Sequence, residues 1–147
     1  VRKLILLLAT FAITQFCYCQ EWKIVGGKIH TVWSEKVSLD KVWQEYPRPQ
    51  LVRDNWKNLN GLWNYSVMAK DQNKPASFQG KILVPFAIES ALSGVAKKVG
   101  KDSTLWYHTN FTIPSSMKGR NILLHFGAVD WESEVYINGQ KIGTHQG

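Results

Sequence analysis

EVYINGQKIG, residues 134–143, decides how this chain is read. Asn138-Gly139 stands between two short runs that alternate apolar and polar side chains. A two-residue turn of this kind needs φ > 0 at both central positions, which glycine adopts freely and asparagine tolerates. Residues 134–137 therefore run into a hairpin and residues 140–143 run out of it.

Moving towards the N-terminus, the same period of two recurs. Residues 121–126 form a predicted strand, and residues 105–113 form another, rich in aromatic and β-branched side chains and stopped by Pro114. Residues 81–84 are a third, ended by Pro85. In residues 62–67, Trp63, Tyr65 and Val67 share one face, with Asn64 and Ser66 on the other. No sustained 3.6-residue apolar pattern competes with these strands. The expectation is an all-β chain, an antiparallel β-sandwich or jelly roll occupying residues 61–147. Residues 86–104 would be a long connection, of the length usually found in functional or mobile loops.

Residues 20–60 carry little periodicity. Trp22, Trp33, Trp43 and Trp56 recur among polar neighbours, and Tyr46-Pro47-Arg48-Pro49 enforces an extended path. This stretch reads as an irregular arm pinned by its aromatics, with one helical turn near residues 39–44. Residues 1–19 read as a cleavable export signal. Arg2-Lys3 precedes the apolar run 4–13, and Cys17-Tyr18-Cys19 puts small side chains at the −3 and −1 positions of a cleavage site. The run is too short for the roughly 20 apolar residues that span a bilayer, so no stable membrane anchor is expected. The expected location is secreted or periplasmic.

Both cysteines fall within that signal, so the mature chain would have no disulfide and no thiolate chemistry. The net charge of +7, to which Arg2 and Lys3 contribute, is otherwise scattered; Lys97-Lys98 with Lys101 is its densest cluster. Nucleic-acid binding calls for a basic stripe or a known motif, and neither is present. The four histidines, His30, His108, His125 and His145, lack metal-ligand spacing, and no glycine-rich phosphate loop or nucleophile elbow occurs. No metal or cofactor is expected.

Asp130, Glu132 and Glu134 are the nearest approach to paired carboxylates. Extended backbone would put all three on one face of one element. A glycosidase pair must instead flank the scissile bond. No catalytic residue is therefore assigned. Trp131, between Asp130 and Glu132, is the best-placed of seven tryptophans for stacking on a sugar; Trp63 and Trp106 read as core.

Several ordered segments together resemble the start of family 2 glycoside hydrolases, the β-galactosidases, β-glucuronidases and β-mannosidases. They are EYPRPQLVR (45–53), Trp56, NLNGLWNY (58–65), ILVPF (82–86), ESALSG (89–94), LWY (105–107) with Phe111 and Pro114, LHFGAVD (124–130), VYING (135–139) and IGTH (142–145). His108 departs from the pattern, since many members have arginine there. The resemblance implies an N-terminal jelly roll, galactose-binding-domain-like and incomplete at its C-terminal end. It would serve a retaining enzyme whose two catalytic glutamates lie in a downstream TIM barrel. It also implies a carbohydrate partner, a β-glycoside, with Glu89, Ser90, Asp130, Trp131 and His145 nearest the sugar pocket. On this reading the 147-residue chain is truncated and inactive alone. The alternative is a free-standing carbohydrate-binding module without hydrolase activity.

Overall fold

The computed structural model describes residues 22–147. The proposed signal lies outside those residues. The chain divides into two compact units, Val1–Phe111 and Thr112–Gly147.

In the first unit, β1 (Gly61–Ala69) is the centre of a three-stranded antiparallel sheet, with β2 (Gly80–Val84) on one side and β3 (Ser103–His108) on the other. Leu62 opposes Leu83, Trp63 opposes Ile82, Tyr65 opposes Tyr107, and Ser66 opposes Trp106. Residues directly opposite share a face. One face therefore carries Trp63, Tyr65, Ile82 and Tyr107, and the ring of Trp63 meets that of Tyr107 edge-on at 6.5 Å between centroids. The other face carries Leu62 and Leu83. The supposedly polar side of β1 is thus buried as well. Ser66 is fully enclosed there, accepting a hydrogen bond from the Gln79 amide at 3.1 Å and donating to the Ser77 carbonyl at 3.3 Å.

The arm builds the core on that second face. Val42, Leu83 and Phe86 form its centre, and Trp22, Val37, Leu62 and Leu92 pack around them. Trp43 sets its ring against Phe86 at 5.1 Å. In place of a helical turn over 39–44, a single turn closes with the Lys41 amide on the Ser38 carbonyl at 3.0 Å, and Trp43 takes φ 44°, outside the right-handed helical region. Its carbonyl is held by the side-chain amides of Asn58 at 2.7 Å and Asn60 at 3.2 Å. The Asn58 side chain also accepts from the Asn60 amide at 2.7 Å. Asparagine at both positions ties the arm to the start of β1. Short 3₁₀ turns occur instead at Val32–Lys36 and Pro49–Leu51.

The first part of the expected connection 86–104 is drawn into the core, with Phe86, Ile88, Ala91 and Ser93 buried, while Lys97, Lys98 and residues 100–102 are exposed. The hydroxyl of Ser93 organises this stretch. It lies 2.7 Å from the Ser90 carbonyl and 3.0 Å from the Ile88 carbonyl, and it accepts from the amides of Val95 at 3.0 Å and Ala96 at 3.2 Å.

The second unit contains the hairpin of β4 (Glu132–Ile137) and β5 (Gln140–Gln146), joined at Asn138 (φ 51°) and Gly139 (φ 81°). Both turn residues take the positive φ that their identities call for. Two strand expectations are corrected. The strand expected over residues 105–113 runs over Ser103–His108 instead of reaching residue 113, and residues 121–126 are irregular. Alternating side chains make a strand only where a neighbour completes the hydrogen-bond ladder. Among the described residues no strand pairs with residues 121–126, so the segment lacks that ladder. Ile122, Leu123 and Phe126 are consequently exposed. The observed architecture is all-β with antiparallel sheets.

Candidate functional site

Glu89 and Ser90 belong to the first unit; Asp130, Trp131 and His145 belong to the second.

After β2, the Phe86 amide turns back onto the Leu83 carbonyl at 3.1 Å, and the Ser90 amide bonds the Ala87 carbonyl at 2.8 Å. Ser90 then caps the 3₁₀ turn Ala91–Ser93, its hydroxyl accepting from the Leu92 amide at 3.1 Å. This is a standard use of serine, whose side-chain oxygen satisfies an orphan amide at a helical start. Ser90 thus holds the loop in shape, and Glu89, one residue earlier, is left exposed. Partial burial raises the pKa of the Tyr107 phenol above its ordinary value, and the negative charge of Glu89 adds to that rise. The carboxylate and the phenol therefore share one neighbourhood, a proximity that their separation in sequence conceals.

His108 has structural partners in the first unit. Its ring stacks on Phe78 at 5.0 Å with a 21° tilt, and its Nδ1 lies 3.3 Å from the Asn64 side-chain amide.

In the second unit, Trp131 precedes β4 and is 59% exposed. Its carbonyl accepts from the Gly147 amide at 2.9 Å, which fixes the backbone at the open end of the hairpin. Asp130 and Glu132 on either side are exposed. The result is an accessible indole with a carboxylate before and after it. Opposite Ser133 on β5 stands His145. Its imidazole joins Phe126, Val129, Val135 and Thr144 in lining an open groove of about 360 Å³.

Glu134 has a different occupation. It pairs with Lys141 across the hairpin and accepts from the Tyr136 hydroxyl at 2.5 Å. The Lys141 bond first, and the Tyr136 bond second, hold its carboxyl below the usual range. The same contact raises Lys141 and Tyr136 above theirs. Glu134 is a hairpin staple, and with Glu132 it projects from one strand. These two do not form the pair on opposite sides of a bond that glycoside cleavage requires. Among the described residues no three His, Cys, Asp or Glu side chains gather as a metal site, and no helix is long and apolar enough to cross a membrane.

No known protein-family profile matches the chain. Individual proteins do. A β-glucuronidase of Streptococcus agalactiae serotype V is 22% identical over 104 residues, which are 69% of this chain and 17% of that protein. A β-galactosidase of Thermoanaerobacter pseudethanolicus is 36% identical over 42 residues, 29% of this chain and 6% of that protein. A β-glucuronidase of Formosa agariphila is 37% identical over 43 residues, again 29% of this chain and 4% of its own length. The chain is therefore similar, in part and at low identity, to small portions of much longer glycosidases.

Proposed function

We propose that this chain is the N-terminal, non-catalytic part of an exported family 2 glycoside hydrolase acting on β-glycosides. The observation that carries the proposal is the 104-residue similarity to a β-glucuronidase of which it covers 17%. The two shorter similarities, to a β-galactosidase and a second β-glucuronidase, point the same way. The antiparallel all-β architecture is compatible with the jelly-roll sandwich of such an N-terminal domain.

On this reading the chemistry is performed elsewhere, by two barrel glutamates in a retaining double displacement. This part of the protein supplies support and contacts at the edge of the sugar pocket. Trp131 offers an indole face for the C–H surface of a pyranose, since aromatic rings combine a large apolar area with an electron-rich face. Asp130 and Glu89 offer acceptors for sugar hydroxyls, and His145 can donate or accept. Ser90 contributes by shaping the loop that presents Glu89. No cofactor or metal enters the scheme, and residues 1–19 would direct the protein out of the cytoplasm.

The deciding experiment is to read the coding DNA beyond codon 147 and express the whole reading frame. The product should hydrolyse a chromogenic β-galactoside or β-glucuronide, and the 147-residue chain should not. A stop codon directly after Gly147, with sugar binding by the short chain, would favour the binding-module reading that the exposed Trp131 also allows.

A further inference from the structure

We draw no further inference here: the strongest candidate, the open apolar groove that Phe126 and Val129 form with Val135 and His145 of the hairpin beside the exposed residues 122–124, carries nothing because nothing in the structure shows what covers it.

Discussion

The indole of Trp22 lies directly over the α-carbon of Gly94. A Cβ built at Gly94 would stand 2.6 Å from Trp22 Cδ1 and 3.0 Å from Nε1. The indole cannot simply retreat, because its N–H donates to the Leu92 carbonyl at 2.9 Å. Nor can the backbone relax easily: Gly94 closes the 3₁₀ turn Ala91–Ser93 at φ 78°. This contact joins the first described residue of the arm to the loop that carries Glu89 and Ser90.

Gly94→Ala should therefore be costly in two ways. Left-handed backbone costs an alanine about 1–2 kcal/mol, and displacing a fixed neighbour adds about 1–3 kcal/mol. Gly27→Ala provides the comparison, since Gly27 has φ 72° but open space around its α-carbon. It should lose only the backbone share. Urea unfolding followed by tryptophan emission would measure both, and equal midpoints for the two variants would show that the Trp22 contact is not confining.

Ser93→Ala tests the internal wiring of the same loop. The hydroxyl is fully buried and receives the amides of Val95 and Ala96. Alanine leaves both part-buried amides without that acceptor, and because water can reach them in part the loss should lie towards the low end of the roughly 1–3 kcal/mol that a stranded buried donor costs. Hydrogen exchange should accelerate at Val95 and Ala96 well before β1 is affected. Exchange that speeds up equally everywhere would indicate global destabilisation in place of a local hub.

These two sites mark where sequence reading succeeds and where it stops. Asn138-Gly139 was legible because a positive-φ turn is a local demand met by residue identity alone. The strands at residues 62–67 and 81–84 were legible because half-buried ladders impose a period of two. Residues 121–126 carry a short apolar run, Ile122-Leu123-Leu124, without forming a strand, since such a run reports what a segment could pair as and not whether a partner is present. The arm was harder. Trp22 and Val42 reach the core from irregular backbone, which leaves no period to detect. At the candidate site, the exposure of Trp131 agrees with its polar flanks, but Ser90 as a cap and Tyr107 beside Glu89 required the fold. A hint existed in Ser90-Ala91-Leu92-Ser93-Gly94, which has a capping serine at one end of a short turn and a glycine at the other.

The hairpin should respond to pH at both ends of the scale. The folded carboxyl of Glu134 is depressed, chiefly by Lys141 and then by Tyr136. Its stabilising effect is present above the pKa that a glutamate has in the unfolded chain, and it disappears as pH falls through the lower folded value. Lys141 is raised by the same bond, so its share is complete below the unfolded lysine pKa and disappears as pH rises through the folded one. Between those limits the pair should be pH-independent. Cross-strand NMR contacts between Tyr136 and Lys141 would report it, and Glu134→Gln should remove the acidic limb. Because the pair is exposed to solvent, its effect should also weaken as salt is added.

The sugar contacts are testable in the product of the complete reading frame. Trp131 exposes its ring between two carboxylates, so Trp131→Ala removes a stacking surface without opening a core. If that surface meets the substrate, kcat/KM should fall roughly tenfold, the loss of about 1.4 kcal/mol of binding energy. Asp130→Ala and Glu89→Ala should each act more weakly and mainly through KM, since a solvent-accessible hydroxyl contact is partly replaced by water. Trp131→Phe should recover much of the activity, because a smaller aromatic face still stacks. Tryptophan emission of the wild-type protein should change on titration with the product sugar, and that change should be absent in Trp131→Ala. Unaltered kinetics in all three alanine variants, with unfolding midpoints unchanged, would place the sugar pocket away from this part of the chain.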